Sequence, residues 1–292
     1  MMILLYIFVF VFGTVFGSFL NVCILRIPQK ETIVTERSHC MSCGHQLEWY
    51  DLFPLFSYIF LKGKCRYCGE KISAQYPIIE GLNGLLWCLT FVIIGWKWEA
   101  VFICAAISAL MVVAVIDWRT FEIPFGVVVF IAVLGVLHLA YVFITVKFGI
   151  GTVDKVTSMD FVDEATGIGY TIESVKKGYV TGIAAGAWYE YIIGFFAISV
   201  PLLLIYIISK GKGIGGGDIK LMAAAGLLVG WKFALLALIL GCFFGSVIHI
   251  ARMKLSGEGR VLAMGPYLAA GLTLAMWFGQ PILAWYEGLY AG

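Results

Sequence analysis

The 292-residue sequence predicts an all-α polytopic membrane protein, with about eight transmembrane helices and a four-cysteine polar segment between helices 1 and 2. Three observations carry that prediction. The chain is 61% hydrophobic and 13% charged, against roughly 25% charged residues in soluble domains, so water cannot solvate most of its surface. Apolar runs long enough to cross a bilayer recur along the chain. Two Cys-x-x-Cys pairs, Cys40/Cys43 and Cys65/Cys68, fall in the one long polar stretch that follows the first run.

The first apolar run, near 2–25, has no Lys or Arg before it, and Arg26 follows it. No small-residue cleavage site separates it from GSFLNVC, so residues 1–25 read as a retained helix rather than a signal peptide. Residues 26–76 form the polar segment. Within it, 21 residues separate Cys43 from Cys65, close to the spacing of a two-knuckle zinc site. A glycine follows each pair, in CMSCGH and CRYCGE, which suits the tight turn after a knuckle. Four thiols in a reducing compartment favour tetrahedral zinc over disulfides. Redox-active or unliganded thiols are the alternative. About fifty polar residues bury little core of their own, which makes a structural metal a natural staple. His39 and His45 beside the knuckles read as solvated loop histidines. Cys23, Cys88, Cys104 and Cys242 lie in apolar runs and read as small core residues.

Residues 77–292 hold the other runs, near 78–96, 100–117, 124–146, 187–209, 218–231, 232–251 and 263–286. The run at 218–231 is short and starts behind three glycines. An insertion near 147–186 is rich in Gly, Thr and acids, with no helical period. WYEY at 188–191 reads as an interfacial aromatic belt opening the next helix.

Basic residues fix the orientation. With both termini outside, the inner segments carry 14 Lys and Arg and the outer ones six. That places the cysteine segment on the cytoplasmic side of the membrane. The net charge of +2 is spread over short loops with no basic stripe, so no nucleic-acid partner is expected.

Acids inside membrane runs are rare and mark function by default. Asp117 ends the third run in MVVAVIDWRTFEIP, and Asp218 begins the sixth in GIGGGDIKLM. Both fall at the cytoplasmic face. A pair at one depth suits aspartic-protease chemistry, in which an ionised carboxylate takes a proton from water while its protonated partner polarises the scissile carbonyl. Close like charges make the pair share one proton. Gly215, Gly216 and Gly217 let backbone approach an extended substrate. Each aspartate also has an ordinary explanation. Asp117 could pair with Arg119 or a lipid headgroup, and Asp218 could cap its helix. Glu80, Glu99 and Glu122 also lie near membrane boundaries, and interfacial solvation accounts for Glu99. A transporter would also use intramembrane acids and glycine-broken helices, but near the midplane. A zinc-bearing binding module would leave both aspartates idle.

Five ordered stretches resemble the type IV prepilin peptidases, GxGD-type membrane aspartic proteases. They are GSFLNVCILRIP (17–28), the cysteine segment from Ser38 to Glu80, DWRTFEIP (117–124), GGGDIKL (215–221) and MGPYLAAG (264–271). The resemblance implies two catalytic aspartates, Asp117 and Asp218, and a structural rather than hydrolytic zinc on Cys40, Cys43, Cys65 and Cys68. It implies cleavage of the basic leader from prepilins and pilin-like proteins, including pseudopilins. It also implies methylation of the new N-terminus with S-adenosylmethionine, and a peptidase without methyl transfer is the runner-up. No GxGxxG fingerprint opens a helix, and the sequence assigns no residue to the methyl donor and no oligomeric state.

Overall fold

The computed structural model describes residues 2–34, 37–148, 157–162, 169–174, 188–256 and 262–290. Its helices are α1 (Met2–Gln29), α2 (Phe56–Phe60), α3 (Gln75–Ile94), α4 (Trp98–Thr120), α5 (Phe125–Phe148), α6 (Trp188–Ile208), α7 (Gly216–Val229), α8 (Trp231–Ser256) and α9 (Gly265–Tyr290). Each of the eight predicted runs corresponds to one long helix, and α2 is an added short one. Strands β1 (Thr157–Val162) and β2 (Gly169–Ser174) pair antiparallel inside the 147–186 insertion, with Thr157 opposite Ser174. The sequence reading had no structure there; the rest of the insertion lies outside the described residues.

Among the described residues six helices are long and apolar enough to cross a membrane, and α5 is apolar over Phe125–Tyr141. The chain is a multi-pass membrane protein. Helix α7 has only 14 residues, about 21 Å of rise, less than the ~30 Å of a hydrocarbon core. Gly215 caps it in an extended conformation, and Gly230, at φ +82°, ends it one residue before α8.

Small residues set the packing. A Cβ at Gly13 would lie 2.9 Å from the Gly84 backbone, and one at Gly17 would lie 2.7 Å from that of Glu80. Helices α1 and α3 therefore meet backbone to backbone, as small residues permit between membrane helices. Helices α6 and α7 touch in the same way at Gly194 and Gly226. Helix α4 is buried around most of its circumference, packed between α1, α3, α5 and α9. Helix α7 lies against α5, α6 and α8.

Buried polar side chains where α1, α3 and α4 meet find partners, as a bilayer interior demands. Asn83 Nδ2 donates to the Gly13 carbonyl at 2.7 Å, and its Oδ1 accepts from Ser108 at 2.9 Å. Trp87 Nε1 donates to the same Ser108 hydroxyl at 3.0 Å. Three helices, α1, α3 and α4, thereby share one network. Cys23 and Cys104 are buried as predicted, and Cys88 is half-buried. Cys242 corrects the expectation, because it lies on an outward side of α8 and is exposed.

Candidate active site and metal centre

Helix α4 continues one turn beyond Asp117. It closes where the Phe121 N–H donates to the Asp117 carbonyl at 2.9 Å, with Phe121 left-handed at φ +56°. Asp117 therefore sits in a finished last turn, and its side chain is only 5% exposed. Its Oδ2 accepts the backbone N–H of Gly265 at 2.8 Å. Gly265 opens α9, so the carboxylate lies against a helix N-terminus, where the dipole and an orphan N–H favour negative charge. A Cβ at Gly265 would stand 2.8 Å from Asp117 Oδ2, so glycine alone leaves room there. Arg119 does not pair with Asp117. Its guanidinium hydrogen-bonds Gln75 Oε1 at the start of α3, and Gln75 Nε2 in turn donates to Asn21 of α1 at 3.3 Å.

Asp218 is the third residue of α7, so it is not the N-cap; Gly215 holds that place. The carboxylate turns back over Gly215, where an added Cβ would lie 2.9 Å from Asp218 Oδ2. That is the position from which an acidic side chain satisfies the first N–H of a helix. The three glycines differ. Gly216 faces open space, whereas a Cβ at Gly217 would fall 2.9 Å from Cβ of Ile123. Ile123 lies in the short link between α4 and α5, so this contact ties the link after Asp117 to the turn holding Asp218. Asp117 and Asp218 thus sit on the two segments that this contact joins, at the same end of the bundle. Helix α4 does not run along α7; α5 and α9 hold the two ends together.

The cysteines form two matching knuckles. The Cys40 N–H donates to the His45 carbonyl at 2.9 Å, and the Cys65 N–H to that of Glu70 at 2.8 Å. Gly44 and Gly69 close the turns at φ +71° and +73°, values an L side chain rarely adopts. The four Sγ atoms lie within 4.8 Å of one another and could hold a metal ion. Backbone N–H groups of Cys43 and Ser42 pull the Cys40 thiol down to about 6. At Cys68 the Glu70 backbone favours the charge, but burial and the neighbouring thiols push it up to about 12. Four thiolates this close cannot all ionise without a cation among them. His45 stacks on Tyr67 at 3.6 Å between ring centroids. Beside them, Asp51 accepts from Arg66 Nε at 2.7 Å and from the Tyr67 hydroxyl at 3.1 Å. Burial opposes its charge, yet these bonds hold the Asp51 carboxyl below the usual carboxylate range.

Two contacts at this end of the bundle escaped sequence reasoning. Gly265 stood inside the MGPYLAAG stretch, but its contact with Asp117 spans 148 residues. Glu80 is buried, and its Oε2 accepts the Leu55 N–H at 2.9 Å, pinning the polar segment to α3.

Comparison with known proteins bears on the same residues. Residues 11–94 match the bacterial peptidase A24 N-terminal domain, and residues 167–250 match the type IV leader peptidase family. The four cysteines fall in the first stretch and Asp218 in the second, with Asp117 between them. A prepilin leader peptidase/N-methyltransferase of Myxococcus xanthus is 30% identical over 86% of this chain. The chain spans 64% of that relative's length. The Bacillus subtilis protein of that name is 29% identical over 97% of this chain and 98% of its own. One from Burkholderia pseudomallei is 26% identical, over 94% and 85%. No solved structure matches the chain. Two family stretches in order, on a helical bundle with a four-cysteine cluster in the first of them, lead to one conclusion: the chain is similar along most of its length to the type IV leader peptidase family.

Proposed function

We propose that this protein is a membrane aspartic endopeptidase that removes the leader of type IV prepilins and pilin-like proteins, pseudopilins included. Asp117 and Asp218 would be its catalytic pair. The observation that supports the reading is the approach of Gly217 to Ile123, which brings the turn before Asp218 against the link that follows Asp117. Asp117, buried and facing the α9 N-terminus, is the better placed of the two to stay ionised and take a proton from water. Asp218, partly buried at the mouth of α7, would carry the shared proton and hydrogen-bond the scissile carbonyl. Attack by water breaks the amide bond; the proton taken from water passes to the leaving amine.

Gly215, Gly216 and Gly217 would border the substrate backbone. Gly216, with open space above it, is where an unwound stretch of substrate fits most easily. A prepilin has its scissile bond at the cytoplasmic membrane face. This end of the bundle would lie there, in the inner membrane of a bacterium, a placement the positive-inside count supports for its side. The chain would be organised as a first helix (1–25), a metal-bearing segment (26–76) and a membrane peptidase domain (77–292) with an external insertion near 147–186.

Zinc is the metal that Cys40, Cys43, Cys65 and Cys68 would hold. Zn–S bonds of about 2.3 Å give a tetrahedral edge of roughly 3.8 Å, and Cys40 Sγ to Cys68 Sγ is 3.9 Å. Its part would be structural. The names of the relatives support a second activity, methylation of the new N-terminus, for which S-adenosylmethionine would supply the methyl group.

Co-expression with a prepilin tests the reading, with leader loss read on a gel and a gain of about 14 Da read by intact mass. A substrate left at full length would overturn the peptidase reading. Cleavage without the added mass would leave a peptidase alone.

A further inference from the structure

The short helix α2 presents its apolar side outward. Phe56, Ile59 and Phe60 stand at positions i, i+3 and i+4, which share one face. They are 51%, 68% and 81% exposed. Phe53, also exposed, extends the stripe and touches the Phe56 ring at 5.6 Å. The opposite face is the one packed on the protein, where the Tyr58 hydroxyl donates to the Ile72 carbonyl at 3.4 Å. A water-facing segment would be built the other way round.

Its depth is set by α3. The Leu55 N–H is held by Glu80, and the Leu55 side chain lies 3.7 Å from where a Cβ of Gly81 would be. Glu80 is the sixth residue of a 20-residue helix, so it lies roughly 8 Å along a rod of about 30 Å that matches the hydrocarbon core. Helix α2 is thereby fixed at the level of the first turns of α3. Interfacial helices bury an apolar face about that far into the headgroup–acyl boundary. Lys62 and Lys64 follow directly and are exposed, where anionic headgroups would meet them.

We infer that Phe53, Phe56, Ile59 and Phe60 form a membrane-inserted foot, seated in phospholipid of the leaflet on the cysteine-cluster side. The foot would hold that segment against the bilayer beside the aspartate pair. The inference rests on the spans and the Leu55–Glu80 bond, not on the peptidase reading.

The test is photo-crosslinking of the full chain in vesicles of phosphatidylethanolamine and phosphatidylglycerol. Benzoylphenylalanine is placed singly at Ile59, at Phe60 and at Met41, all exposed, Met41 being 76% exposed in the first knuckle. Intact mass reads the adduct. Phospholipid adducts at 59 and 60, and their loss at 41, are expected. Adducts of 59 or 60 with a second copy of the chain or with an added prepilin would overturn the inference. So would equal lipid labelling at 41, or the absence of any lipid adduct at 59 and 60.

Discussion

Asp117 is buried in the last turn of its helix, yet a backbone N–H from the start of another helix reaches its carboxylate at 2.8 Å. A side chain held in this way has little freedom, and catalytic geometry is sensitive to displacements of an ångström. Gly265→Ala would push a methyl group into the carboxylate and should lower leader cleavage by about 100-fold, while the protein still inserts and keeps its metal. Gly216→Ala should cost only a few-fold, since nothing in the protein lies within 4 Å of the added Cβ and the methyl would crowd substrate alone. Gly217→Ala, which meets Ile123, should fall between them. Initial cleavage rates of the three variants check the order. A Gly216 variant worse than the Gly265 variant would move the site's tight point elsewhere. The sequence marked both aspartates through their rarity in apolar runs. It marked Glu80 in the same way but not its bond to Leu55, and it could not mark Gly265 at all, because each acts through one contact between positions far apart in the chain.

At the scale of the element, hydrophobic runs and cysteine spacing were legible because they are local signals. Eight runs correspond to eight helices, and the glycine after each cysteine pair does turn the knuckle. The ends were less legible. Helix α4 outlasts its apolar run by a turn because Phe121 closes it from a left-handed conformation, which no hydropathy pattern records. Pairing within the insertion rests on cross-strand hydrogen bonds, and six-residue strands carry a weak signal. Two outcomes follow for elements. Replacing Cys40 and Cys43 together with Ser should remove the one zinc expected per chain and unfold the knuckles. Structural zinc supplies roughly 10 kcal/mol or more in small domains. Metal content that stays unchanged would point to other ligands, His39 and His45 first. Gly226→Val should cost more folded protein than Gly216→Ala, because its Cβ would lie 2.0 Å from the Gly194 carbonyl and force α6 from α7. Yield of folded protein after extraction reads that difference.

For the whole molecule, the arrangement divides into a membrane bundle that holds the carboxylates and a segment with the four-cysteine cluster docked on it. Asn21, Gln75 and Arg119 join α1, the end of that segment and α4 by hydrogen bonds. Methyl transfer needs a neutral amine and an aligned donor but no water-activating pair. A pre-cleaved substrate given to the Asp218→Asn protein should therefore still gain its methyl group. Failure with the donor bound normally would mean that the two reactions share groups. The pairing of Asp117 with Asp218 is the claim on which the rest depends, and intact mass of a prepilin co-expressed with each enzyme tests it most directly. With wild type the substrate should lose its leader. With Asp117→Asn or Asp218→Asn, each inserted and metal-loaded, it should keep the leader, whereas Glu122→Gln should still process it. Near-normal leader loss with either asparagine variant would contradict the assignment.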